Sequence, residues 1–174
     1  MKKLIIILLA LIPVVSQAQN FQKYENMREV SAMVMTSNMF KLLAEIDVDS
    51  DDEEVKQYLK LIESLEDIKV ISTHNSSIGK QMENDMNAYI TKNALQELMR
   101  FKDENKNVRF YSKPGSKPSQ VKQLVMLFNG QEDNKPITVA LSITGNIDLK
   151  EISKLAKDLK VPGAEELENL DENN

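Results

Sequence analysis

Between Val108 and Thr144 the apolar pattern is that of strands, alternating most cleanly over 137–144, whereas the longest patterned stretches before Phe101 recur every third or fourth residue. A chain whose period changes from 3.6 to 2 builds helices in one part and half-buried strands in another. The cleanest alternation is Ile137, Val139, Leu141 and Ile143 against Thr138, Ala140, Ser142 and Thr144, a strand with one buried face and one small polar face. Val121 to Asn129 carries Leu124-Val125-Met126-Leu127-Phe128, apolar on both faces, as a central strand is. Val108 to Ser112 is a further strand; Lys113 to Pro118 forms a turn, and Gly130 to Pro136 a polar hairpin loop.

Upstream, Val30, Ala32 and Val34 alternate with Ser31, Met33 and Met35, which predicts a first strand over 29–35. Thr36, Ser37 or Asn38 then caps a short helix through Met39, Leu42, Leu43 and Ile46. A second helix runs over 53–65 with Val55, Tyr58, Leu59, Ile62 and Leu65 on one face, and 67–73 is a strand centred on Ile68, Val70 and Ile71. The ladder Ile78, Met82, Met86, Tyr89, Ile90, Ala94, Leu98 and Phe101 predicts one long helix over 78–101, capped by Ser76 or Ser77. After Gly145 ends its strand, a helix opens near Asp148, with Glu151 three residues on, and stops at Pro162-Gly163. The order is β-α-α-β-α-β-β-β-α, an α+β fold with a single largely antiparallel sheet and helices packed on one face.

Lys2 and Lys3, the apolar run Leu4 to Val15 and Ser16-Gln17-Ala18 have the layout of a secretory signal peptide cut after Ala18. The run is short of the roughly 20 apolar residues that span a bilayer. The expected organisation is a signal peptide at 1–18, one α+β domain at 19–161 and an acidic disordered tail at 162–174, with Gln19 to Glu25 a loose polar start. Cleavage leaves 156 of the 174 residues, with 20 basic against 27 acidic side chains and a net charge of −7. That balance argues against a protein that tracks a nucleic-acid backbone. The chain has no cysteine, hence no disulfide, no thiol nucleophile, no thiolate metal site and no attachment point for a lipid anchor. The expected location is periplasmic or secreted.

No set of residues identifies a reaction, and no cofactor is expected. Asp47, Asp49 and Asp51 have the alternate spacing of a calcium loop, but Asp52 and Tyr58 stand where that motif needs Gly and Glu. Residues 47–54 are more simply an acidic hinge ahead of a helix, with weak calcium binding as the alternative. His74, the only histidine, sits beside Ser76 and Ser77 at a strand-to-helix corner. A small hydrolase built on that group is the enzymatic alternative, but there is no Gly-x-Ser-x-Gly elbow, and helix capping explains the serines. Ser77 to Lys80 and Ser119 to Lys122 both fit Ser-x-x-Lys without its companion motifs. Lys113 to Lys117 with Arg109 suggests a small cationic patch on one rim, and Met33 and Met35 suggest core filling more than a soft-metal site.

Three segments carry a family likeness: Ser31-Ala32-Met33-Val34-Met35 to Met39-Phe40-Lys41-Leu42-Leu43, Leu61 to Val70, and the closing Ile143-Thr144-Gly145-Asn146-Ile147-Asp148-Leu149-Lys150-Glu151-Ile152. Over residues 21–160 the chain resembles the Bacteroidota domain of unknown function 4252. The resemblance implies a small exported protein of the Gram-negative cell envelope, often encoded near extracytoplasmic sigma-factor genes, and it transfers no catalytic or binding residue. Many such proteins carry a lipidation cysteine that this chain lacks. The expected function is a non-enzymatic protein-interaction or binding module that contacts another envelope protein or a second copy. Its expected docking surface is the Thr138, Ala140, Ser142, Thr144 face, if that face is left open.

Overall fold

The computed structural model describes residues 19–45, 53–117 and 119–149. The expected signal peptide, the carboxylates Asp47, Asp49 and Asp51 and the expected closing helix and acidic tail lie outside the described residues. The elements in chain order are α1 (Gln19–Glu25), β1 (Ser31–Thr36), α2 (Ser37–Ala44), α3 (Glu53–Ser64), β2 (Leu65–Thr73), α4 (Ser76–Lys92), β3 (Gln96–Lys102), β4 (Asn107–Pro114), β5 (Gln120–Glu132) and β6 (Lys135–Asp148). All six strands form one open sheet in the order β1-β2-β6-β5-β4-β3, with every pairing antiparallel. The expected α+β class and single antiparallel sheet are both present.

β5 lies inside the sheet between β6 and β4, and its run from Leu124 to Phe128 is buried throughout. Its side chains alternate between two separate cores. Leu124, Met126 and Phe128 join Phe40 of α2 and Leu61 and Ile62 of α3. Val125 and Leu127 join Phe21 and Tyr24 of α1 and Met82, Met86 and Ile90 of α4. Helices therefore cover both faces, which corrects the expectation of one. The small polar face of β6 is the reason. Ala140 and Ser142 are buried, and a Cβ on Gly79 of α4 would stand 2.5 Å from Thr138 Oγ1. Small side chains on the strand and a glycine on the helix let α4 lie directly on the sheet, so this face is not an open docking surface.

Several boundaries differ from expectation. Gln19 to Glu25 is helical, because Phe21 and Tyr24 fall on one helix face and are buried. Asn75 caps α4, its side-chain oxygen accepting from the amides of Ser77 and Ile78 at 3.0 and 3.1 Å, so neither serine is the cap. The hairpin between β5 and β6 narrows to Asp133 and Asn134, both left-handed, as a type I′ turn requires. β6 passes through Gly145 to Asp148 and does not stop there.

The long helix ends at Lys92, and 96–102 is the edge strand β3. Asn93 is its C-cap. Ala94 N–H donates to the Thr91 carbonyl at 3.2 Å and Leu95 N–H to the Ile90 carbonyl at 3.0 Å, the paired bonds of a Schellman stop. Ala94 takes the left-handed position at φ 51° that glycine usually fills, so no Gly or Pro signals the break. Leu98 and Phe101 continued the helical ladder by coincidence. Met99 and Phe101 pack on the core from alternate positions of β3. Ala94→Gly is expected to stabilise the domain by about 0.5–1 kcal/mol, read from urea denaturation midpoints. A loss of stability would mean that Ala94 is held by contacts rather than tolerated.

Candidate functional site

The strand register assembles a polar row from four strands. Thr73 on β2 pairs with Thr138 on β6, Thr138 with Asn129 on β5, and Asn129 with Asn107 on β4. All four line a cleft of about 390 Å³, whose walls also include Ser76, Lys80 and Glu83 of α4 and His74. Along each strand the next inward residues are apolar or close the space: Ile71, Ala140 and Leu127 are buried. The cleft thus lies where the second core gives way to polar side chains at the amino-terminal end of α4.

Thr138 Oγ1 donates to Asn129 Oδ1 at 3.0 Å. Thr73 Oγ1 donates to the Glu29 carbonyl at 2.6 Å and accepts from Asn75 N–H at 3.1 Å. Arg109, one inward position along β4 from Asn107, donates through Nη2 to Glu83 Oε1 at 2.8 Å and so ties the sheet to α4. Asn107 Oδ1 and Arg109 Nε are buried with no hydrogen-bond partner. An unsatisfied buried polar group costs about 1–3 kcal/mol, so the row ends on a poorly satisfied acceptor.

His74 is exposed on the rim, with Nδ1 3.0 Å from the Pro136 carbonyl oxygen and Nε2 3.3 Å from Glu132 Oε2. A carbonyl oxygen only accepts, so Nδ1 carries a proton and donates. Nε2 then faces a carboxylate, whereas a base that activates serine must aim this atom at the hydroxyl. Ser76 lines the cleft beside His74; Ser77 is exposed on the next position of α4. His74 and the two serines are neighbours in chain, but among the described residues no hydrogen bond joins either hydroxyl to the imidazole.

Arg109 does not join Lys113 to Lys117 in a patch, because it is opposite Leu127 in mid-sheet and occupied by Glu83. Lys117 instead shares a shallow surface pocket with Glu66, Lys122 and Asn146. Met33 and Met35 lie on one face of β1, as expected, but only Met35 packs on the core, and Met33 is exposed. Among the described residues no group of three or more His, Asp or Glu side chains is placed to hold a metal ion. None of the helices among them is long and apolar enough to cross a membrane.

The two edges of the sheet are built differently. β3 carries Glu97, Arg100 and Lys102, a register shift between Glu97 and Met99, and an Arg100–Glu97 ion pair at 2.7 Å. The Arg100 hydrogen bond holds the Glu97 carboxyl below its ordinary range. Charges and irregular register are the usual protection of a free edge. β1, Ser-Ala-Met-Val-Met-Thr, has no charge, no proline and an unbroken register against β2. Val34 is 41% exposed, and Leu42 of the adjoining α2 is 66% exposed. Sequence reading missed both features: the row needs the register, and the bare edge needs the strand order.

A family model described as a domain of unknown function, DUF4252, matches residues 24–155. No functionally curated protein is similar to this chain in sequence.

Proposed function

The chain belongs to the DUF4252 family, and on that footing we propose that it is an exported, non-enzymatic interaction module of the cell envelope. Its docking surface is the β1 edge, which takes an extended, uncharged segment of another envelope protein as an added antiparallel strand. The contrast between the two edges supports this reading. β3 has the charges and bulge that keep an edge free, and β1 has neither. Met33, Val34, Met39 and Leu42 add exposed apolar surface beside the outer edge of β1, which no other described strand pairs. A second copy is the weaker occupant, because each mature chain carries a net charge of −7 from 20 basic and 27 acidic residues and so repels its like.

Export rests on the Lys2-Lys3, Leu4–Val15 and Ser16-Gln17-Ala18 pattern. Cleavage after Ala18 would leave α1, which starts at Gln19, whole. The non-enzymatic reading rests on His74, whose ring nitrogens face Pro136 and Glu132 rather than a serine.

The test is photocrosslinking in the producing cell, with benzoylphenylalanine placed at Val34 or, as control, at Leu98 of β3. One reproducible adduct is expected from position 34, in the envelope fraction, and none from position 98. Adding Met33→Lys to the position-34 protein should abolish it. An adduct of twice the chain's own mass would replace the partner with a second copy. No adduct at 34, or one indifferent to Met33→Lys, would overturn the proposal.

A further inference from the structure

We propose that Met33 and Met39 form an oxidation site, and that their conversion to sulfoxides by hydrogen peroxide closes the β1 edge to its added strand. The inference rests on the docking reading above and supplies its regulation. The chain has no cysteine and no tryptophan, so the methionine thioether is its most readily oxidised side chain. Nine methionines are present, and all those after Met1 lie among the described residues. Met82, Met86 and Met126 are fully buried, and Met27, Met35 and Met99 are half-buried. Met33 and Met39 alone of this set are exposed, at 37% and 42%. Both stand at the edge that carries no charge: Met33 within β1, and Met39 in the first turn of α2, which follows β1 without a linker.

The step is a two-electron oxidation. The Sδ lone pair attacks one peroxide oxygen, and the S–O bond forms as the O–O bond breaks. The departing hydroxide takes the proton from the transferred oxygen and leaves as water. The thioether is oxidised and the peroxide reduced. Met33 lies opposite Val70, on the face of β1 where Met35 packs into the core. A strand added to β1 covers an apolar thioether there without burying a polar group. After oxidation it would have to bury the sulfoxide oxygen without a donor. A docked strand also shields the sulfur, so peroxide takes the free edge and blocks its reoccupation.

Peptide mapping of the chain from Gln19 onward, through a hydrogen peroxide series, tests the site. One added oxygen is expected at Met33 and Met39 roughly tenfold or more faster than at Met82, Met86 and Met126. The position-34 crosslink tests the consequence. Purified chain carrying benzoylphenylalanine at 34, oxidised at both methionines and added to the envelope fraction, should give less adduct than the untreated chain, by roughly tenfold or more. The double variant Met33→Leu, Met39→Leu, apolar but inert to peroxide, should keep its adduct after the same treatment. Equal rates at exposed and buried methionines, an oxidised chain that still crosslinks fully, or a double variant that loses its adduct on oxidation would each overturn the switch and leave the edge standing. No adduct from the untreated chain would instead strike the edge itself, and the switch with it.

Discussion

Replacing Gly145 by alanine is expected to cost this domain about 3–5 kcal/mol, a large part of the roughly 5–15 kcal/mol that holds a domain folded. Gly145 sits at φ +146°, a conformation that side chains rarely adopt. An added Cβ would also run into the backbone, against the carbonyl oxygen of Ser64 and, at 3.0 Å, Cα of Leu65. Neither atom can swing aside, because α3 ends at Ser64 and β2 begins at Leu65 with no linker between them. The register of β2 on β6 slips here, with Leu65 opposite Gly145 and Asp67 opposite Thr144. Denaturation midpoints of the wild type and Gly145→Ala measure the cost; a change under about 1 kcal/mol would mean that the junction relaxes freely.

Tyr24→Ala is expected to cost a similar amount, about 3–5 kcal/mol, because it empties a fully buried aromatic site between α1 and α4. The ring is not the whole of the contact. Its hydroxyl donates to Asp85 Oδ2 at 2.7 Å, and Lys23 Nζ reaches the same oxygen at 2.8 Å. Tyr24→Phe isolates that bond and should cost about 1 kcal/mol. Lys23 is half exposed, so Lys23→Met should cost about 0.5 kcal/mol or less. On the other side of α1, Glu25 and Lys69 stand 3.6 Å apart, too far for a hydrogen bond and so held by charge alone.

The same network sets a pH dependence. Burial, the largest single influence on Asp85, pushes its carboxyl up, but the hydrogen bonds from Lys23 and Tyr24 and the Lys23 charge outweigh it, and the net shift is below the ordinary 3.8. A carboxyl lowered on folding stabilises the fold above its unfolded value and loses that contribution as pH falls through the folded one. Tyr24 is pushed by burial and by Asp85 from 10.0 up to about 12. Its contribution is complete below pH 10.0 and disappears as pH rises toward about 12. The stability gap between wild type and Tyr24→Phe should therefore be widest near neutrality and shrink below pH 3.8 and above pH 10.0. A gap constant across that range would mean that the hydroxyl does not bond Asp85 in solution.

Local pattern revealed the strands and failed where two readings share it. Period two picked out β4, β5 and β6, and apolar faces on both sides of β5 placed it inside the sheet. The same logic extended α4 through Leu98 and Phe101, since a strand placing Met99 and Phe101 inward also satisfies a helical spacing at Leu98 and Phe101. Phe21 and Tyr24, three residues apart, were a visible helical pair inside a polar stretch. Ala94 and Gly145 were opaque for opposite reasons. The first is a non-glycine in a glycine conformation, and the second is a glycine inside a strand rather than at its end.

Class, five of the six described strands and the central place of β5 follow from the residues alone, because the period and burial of those segments are written in their own side chains. Which strands are neighbours, and in what register, depends on segments far apart in the chain. Thr73, Asn107, Asn129 and Thr138 become one row, and β1 becomes the unguarded edge, only when the sheet closes in its particular order. The small face of β6 shows the same division: its composition permits either an open surface or a close-packed helix, and Gly79 of α4, arriving from another part of the chain, selects the helix.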